Sequence, residues 1–264
     1  MSVDCAWRLL LGVVATGCVL SAAAGDLNER LANKEQHTEL GVSHARESLS
    51  NNPNPWTDTQ LELLHYFAPR KLLAGRAISS ERFGLHDNTL AVSAYYPLGE
   101  RTTGYAEISA SDTHRVLPRG SLHLQVSQSL PQGWGVVGGF KHLSYNSTAV
   151  DIAELTVERY FSDYRVAFSL YPSRSSTAGN ASSYRLQLSR YYGEENNIQV
   201  LFANGIEVDK PTVIDSVLAT HVRSVALFGR HWLTQEWALA YGVGHTVHGE
   251  SIRRSLNLGL RYRF

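Results

Sequence analysis

The last nine residues of the chain alternate without a break. Leu256, Leu258, Leu260, Tyr262 and Phe264 hold one parity, and Asn257, Gly259, Arg261 and Arg263 hold the other. A β-strand sends successive side chains to opposite faces, so this segment has one apolar face and one strongly polar face. Chain ends in soluble sheets are usually polar and loosely held. Here the sequence stops on an aromatic that belongs to the apolar face. The pattern is that of a final strand in an outer-membrane barrel, with alternate residues meeting lipid. Leu258, Leu260, Tyr262 and Phe264 are then the signal read by the barrel-insertion machinery.

The other end of the chain points to the same compartment. Arg8 precedes the apolar run Leu9-Leu10-Leu11-Gly12-Val13-Val14-Ala15, and small residues follow at Ala22-Ala23-Ala24. A charged, then apolar, then small-residue series is a secretory signal, so residues 1–24 are expected to be removed near Ala24. The alternative, a lipidation box at Ala15-Thr16-Gly17-Cys18, lacks the leucine expected at Ala15. Both cysteines, Cys5 and Cys18, fall inside the signal. The mature chain then has no disulfide framework, thiolate metal site or thiol nucleophile. Residues 25–37 are polar and aperiodic and are expected to form a periplasmic lead-in. The formal net charge is zero with both signs scattered, which argues against nucleic acid as a partner.

From residue 38 to 264 the period is two throughout. Leu90-x-Val92-x-Ala94-x-Tyr96, Tyr164-x-Val166-x-Phe168-x-Leu170 and Trp237-x-Leu239-x-Tyr241-x-Val243 are clear instances. The spacing predicts an all-β, antiparallel up-and-down transmembrane barrel of about fourteen strands, with twelve the alternative, at ~9–11 residues per crossing. Expected strands are 38–49, 57–67, 71–82, 88–97, 102–112, 120–130, 133–145, 150–161, 163–171, 182–192, 196–207, 216–231, 235–248 and 252–264. The even-numbered connections are short and are expected in the periplasm. The longest odd-numbered ones are expected at 51–55, 173–181 and 209–215, outside the cell. Phe67, Tyr96, Trp134, Phe161, Tyr164, Tyr192, Trp232, Trp237 and Tyr262 fall at periplasmic strand ends, where an interfacial aromatic girdle belongs.

If the apolar parity meets lipid, the polar parity lines the lumen. That assigns Glu62, Glu107, Glu154, Glu158, Tyr160, Arg165, Arg185, Gln187, Gln199, Arg223, Arg253, Arg261 and Arg263 to the interior. Acids weight the early strands and bases the late ones. The favoured reading is a narrow lumen of mutually neutralising pairs, since buried charges are rarely left alone. The other is a transverse field that orients a polar solute. The sharpest local expectation concerns residues 158–165. A two-residue turn at Ser162-Asp163 pairs Phe161 with Tyr164, sets Tyr160 opposite Arg165, and brings Glu158 diagonally within reach of the Arg165 guanidinium.

These residues carry a resemblance. Gly133-Trp134 through Tyr145, Val150, Glu158-Arg159-Tyr160-Phe161, Tyr164-Arg165 and the closing Leu258-Gly259-Leu260-Arg261-Tyr262-Arg263-Phe264 resemble the YaiO family over about residues 38–264. The resemblance implies an outer-membrane barrel, sometimes associated with polysaccharide-handling machinery. It implies no reaction, cofactor or catalytic residue. The expected function is therefore a non-enzymatic narrow pore, or a conduit for extracellular polysaccharide. The expected partners of this monomer are outer-membrane lipid, lipopolysaccharide, and polysaccharide or its export apparatus. An alternative is a lipid-modifying enzyme of the lipid A deacylase type using His142 and Ser144. Parity disfavours it, because the nearest acid considered, Glu154, lies on the opposite face of the wall. His86, His123, His221, His231, His245 and His248 lack ligand spacing, so no metal site is expected.

Overall fold

In the computed structural model, residues 36–193, 195–209, 218–249 and 251–264 are described. The expected signal peptide and nearly all of the lead-in lie outside them. Fourteen strands form one closed antiparallel barrel in which every strand pairs with its sequence neighbours and β1 pairs with β14. They are β1 His37–Leu49, β2 Asn52–Ala68, β3 Lys71–Arg82, β4 Leu85–Pro97, β5 Thr102–Ser111, β6 Gly120–Ser129 and β7 Trp134–Ser144. The second half comprises β8 Ala149–Phe161, β9 Tyr164–Ser175, β10 Gly179–Tyr192, β11 Asn196–Asp209, β12 Leu218–Trp232, β13 Trp237–His248 and β14 Ser251–Arg263. Closure removes the sheet edge, so every strand in the wall has a hydrogen-bonding neighbour on both sides, as hydrocarbon requires.

The ring closes along the register Glu39–Arg263, Gly41–Arg261, Ala45–Asn257 and Leu49–Arg253. Thr38 and Phe264 exchange backbone hydrogen bonds of 3.1 and 3.0 Å at the end of this seam. Alternation sorts the two faces. Leu40, Val42, Leu61, Leu63, Leu90, Val92, Leu155, Val157, Leu256, Leu258 and Leu260 are exposed on the outer wall, while the intervening glutamates, arginines, glutamines and serines are buried inside.

Three connections differ from the sequence expectation. Strand β2 begins at Asn52 rather than 57, because a register irregularity between Glu47 and Leu49 accommodates Pro53 and Pro55 beside the turn. Strands β9 and β10 continue to Ser175 and from Gly179, so the segment 173–181 is mostly ladder around a turn at 176–178. The expected loop at 209–215 lies almost wholly outside the described residues; among the described connections the longest is 112–119, whose Val116 and Leu117 pack against the inner wall. The tight turns of the opposite rim are as expected, including Ser162-Asp163, where Ser162 adopts a positive φ of 51°. Gly133 has φ +76°, and a Cβ there would lie 2.4 Å from the Tyr160 carbonyl oxygen, so only glycine fits the β6–β7 turn.

The turn parity predicts the orientation. An epitope tag at Thr177 should be labelled on intact cells, whereas one inserted between Ser162 and Asp163 should be labelled only after the envelope is opened. Equal labelling of the two would reverse or break this topology.

Candidate functional site in the barrel lumen

The lumen is built as clusters of paired charges. The expected hairpin is present as drawn: Phe161 pairs with Tyr164 and Tyr160 with Arg165. The Arg165 Nε and Nη2 atoms approach one carboxylate oxygen of Glu158 at 2.8 and 2.7 Å, and both residues are buried. The Tyr160 ring lies 5.9 Å from the guanidinium. Gly135, directly across the ladder from Glu158, makes room for this carboxylate, since a Cβ there would meet Glu158 Oε1 at 2.7 Å. Gly139 makes similar room for Glu154, with Oε2 at 3.2 Å from an added Cβ.

A second cluster lies on the seam. Arg261 donates to Glu39 at 2.9 Å and also to Glu62. Arg263 donates to Glu39 at 3.0 Å and to Glu195 of the β10–β11 turn, with its guanidinium 3.8 Å from the Trp232 ring centroid. Acids of the first strands thus meet bases of the last strand because closure makes them neighbours, which supports the pairing reading.

A third cluster forms a belt across β3 to β8. Arg76 donates to Glu107, and Tyr105 Oη donates to the same carboxylate at 2.7 Å. Glu107, His123 and Lys141 are successive register partners. Glu154 accepts from Gln125 Nε2 at 2.7 Å and lies 3.7 Å from His123 Nε2. On the facing strands Gln187 donates to Gln199 at 2.6 Å, and Arg185 stands 4.9 Å over the Tyr171 ring. Nearer the outer mouth, Trp56 is held between Arg82 and Arg253, at 5.2 and 5.4 Å.

On the side of β7 to β9 the outer mouth is apolar. Leu143, Tyr145, Val150, Ile152 and Tyr171 form a buried cluster with Val116 and Leu117 of the β5–β6 loop. One carboxylate pins that loop. Asp87, fully buried, accepts from the backbone N–H groups of Arg115, Val116 and Leu117 at 3.0, 2.8 and 2.9 Å, and from the Thr113 hydroxyl. The loop root is tied by Asp112, which accepts from the Asn88 backbone and side chain at 2.9 and 2.8 Å. The Asn88 backbone bond, first among these contacts, holds the Asp112 carboxyl below the usual carboxylate range.

Of the expected lumen residues, Glu62, Glu107, Glu154, Glu158, Tyr160, Arg165, Arg185, Gln187, Arg261 and Arg263 lie on the inward parity. Arg223 does not. It is exposed, in register with Val247 on the outer wall, while its neighbours Val222 and Ser224 are buried. Apolar residues stand on both parities of β12, so polarity alone misassigned it. Phe67, Tyr96, Trp134, Phe161, Tyr164, Tyr192 and Trp237 are exposed, and Tyr262 packs 4.8 Å from Trp237, as a girdle requires. Trp232 is the exception. It shares the inward parity of buried Arg230 and Ala238 and stacks under Arg263.

Sequence reasoning missed Glu39, Arg76, Asp87, Arg230 and the row role of His123 and Lys141. Counting parity through Leu40 and Phe140 would have placed Glu39 and Lys141 inside. His142 and Ser144 face outward and Glu154 inward, as parity required. His142 Nδ1 instead meets Asp151 Oδ1 at 2.6 Å on the outer wall. Among the described residues no group of metal-ligating side chains is gathered.

The profile of the YaiO membrane beta barrel domain matches residues 37–210. Among solved structures, the CymD monoaromatic hydrocarbon channel aligns with a TM-score of 0.56 at 12% identity, covering 94% of this chain and 92% of that one. Omp33 of Acinetobacter baumannii aligns with a TM-score of 0.51 at 13% identity, covering 86% and 99%. These likenesses are of fold. No curated protein sequence matches the chain.

Removing one partner of the Glu158–Arg165 pair leaves a buried charge alone, at a cost of ~3–5 kcal/mol where water is excluded. Glu158→Gln and Arg165→Gln should each lower the unfolding midpoint in detergent, and the double variant should lose less than the two singles combined. Strict additivity would mean that the two side chains do not interact.

Proposed function

The chain belongs to the YaiO family of membrane β-barrels, and from that premise we propose that it is a narrow pore of the bacterial outer membrane, gated at its outer mouth by loop 112–119. The observation that carries this reading is the Asp87 carboxylate holding three successive backbone N–H groups of that loop over an apolar patch. Such a clamp closes the mouth with a few hydrogen bonds rather than with a strand of the wall, so it can open while the barrel stays intact. Below it, the lumen presents rows of paired carboxylates and guanidinium groups, a lining suited to small hydrated or zwitterionic solutes. A conduit for an extracellular polysaccharide is the extended form of the same proposal: a single chain would pass once the loop is displaced.

In planar bilayers the wild-type protein should give small, frequently closing ion currents. Asp87→Ala should lengthen the open periods and raise the conductance, and added oligosaccharide should block the current if glycan chains use this path. Absence of current from both proteins would overturn the pore reading.

One observation favours a second reading. The His142–Asp151 pair at 2.6 Å and Ser144, two residues along the same outer face, have the residue types of an acyl-transfer triad placed toward lipid. In that reading Asp151 orients His142, which takes the Ser144 proton during attack on a lipid ester. Lipid A from cells expressing the protein should then lose an acyl chain by mass, and Ser144→Ala should restore it. Unchanged lipid A mass on expression would exclude this activity.

A further inference from the structure

The outer wall carries a group of cations that neither the lumen nor the fold explains. Arg46 on β1, Arg254 on β14, His245 on β13 and Arg223 on β12 are all exposed on the lipid-facing parity. The register joins them into one patch. His245 is the direct partner of Arg254. Arg254 opposes Ser48, which sets Arg46 on its diagonal, and His245 opposes Val225, which sets Arg223 on the other diagonal. Diagonal neighbours on one face of a ladder are ~7–8 Å apart, within reach of long side chains.

Their height on the barrel matters. Arg254 stands eight residues from Tyr262 of the girdle, or ~26 Å along the strand and ~20 Å along the membrane normal once strand tilt is allowed for. The apolar band of such a barrel is ~25 Å tall, so the patch lies at its outer boundary, where headgroups begin. A guanidinium there is costly unless it meets an anion. None comes from the wall: on the outward parity of β12, β13, β14, β1 and β2, the described residues include no Asp or Glu. None of the four patch residues forms an ion pair among the described residues. The opposite wall is different, since there Asp151 meets His142 at 2.6 Å and stands in register with Arg174.

We propose that Arg46, Arg223 and Arg254, with His245 between them, form a binding site for the phosphate groups of a phosphorylated glycolipid of the outer leaflet. Acyl chains would lie on the leucine and valine face below, at Val225, Val243, Leu256 and Leu258, while the phosphates bridge the arginines. The guanidinium groups of Arg46 and Arg254 are diagonal neighbours that repel one another until an anion lies between them, and Arg223 adds a second anchor on the far side of His245. That favours a headgroup bearing more than one phosphate over a zwitterionic one. The patch also spans β12 to β1, so a bound lipid would cross the seam that closes the barrel.

The test uses the full-length protein in phosphatidylcholine nanodiscs containing either a diphosphorylated glucosamine-disaccharide lipid or its dephosphorylated counterpart. Native mass spectrometry measures the retained lipid. The wild type should retain the phosphorylated lipid strongly and the dephosphorylated one at the level of bulk phosphatidylcholine. With each arginine contributing to the electrostatic attraction, Arg46→Gln/Arg223→Gln/Arg254→Gln should bind about a hundredfold more weakly, and Arg254→Gln alone about fivefold. Arg174→Gln on the opposite wall should bind as the wild type. Heat-modifiable migration on gels verifies folding, and the single variant carries the test if the triple one does not fold. Equal retention of the dephosphorylated lipid by the wild type, or undiminished retention by a folded Arg254→Gln protein, overturns the proposal.

Discussion

Hydrocarbon offers the backbone no hydrogen bonds, and from that constraint the rest of this structure follows. A sheet that spans a membrane must satisfy each of its own N–H and C=O groups, which it can do only by closing on itself. The join of β1 to β14, ending in the reciprocal Thr38–Phe264 hydrogen bonds, is therefore what turns thirteen hairpin pairings into a membrane protein. Closure also fixes the interior chemistry. It sets the first strand's Glu39 beside the last strand's Arg261 and Arg263, residues more than two hundred positions apart.

Within the ring, space is as important as charge. A lumen crowded with long polar side chains needs empty positions between them, and glycine on the inward parity supplies these. Gly135 and Gly139 on β7 stand where the carboxylates of Glu158 and Glu154 lie, and Gly41 lies under the Arg261 guanidinium at 3.7 Å from an added Cβ. The charge pairs and the glycines are two halves of one packing solution. At the outer mouth, on the side of β7 to β9, the solution changes: apolar side chains replace the pairs, and a loop held by the carboxylates of Asp87 and Asp112 packs against them. The loop is thus fastened by contacts separate from the hydrogen-bonded ladder of the wall, the feature on which the proposed gate rests.

The outer wall follows a simpler rule, since lipid selects apolar residues, and departures from it carry information. Exposed arginines at the upper boundary of β12, β14 and β1 were invisible to a reading that equated polar with inward, and Arg223 shows the cost of that equation. Its place at a strand end put Trp232 in the girdle, although its position two residues beyond Arg230 places it inside.

The sequence by itself determined what is local. Period-two alternation gave the strands and their faces. Turn lengths predict an orientation, and the two-residue turn at Ser162-Asp163 gave the Glu158–Arg165 contact, because residues joined by a tight turn have a register set by covalent geometry. It did not determine what depends on parts of the chain meeting from afar. The Asp87 clamp on loop 112–119 joins a strand to a loop more than twenty-five residues later, the Arg76–Glu107 contact bridges β3 and β5, and the His142–Asp151 pair needed the β7–β8 register. Nor could alternation decide between two faces where both are polar, as they are near the outer rim. There only the closed barrel, by fixing which parity points inward on every strand at once, assigned Arg82 to the lumen and Arg223 to the membrane.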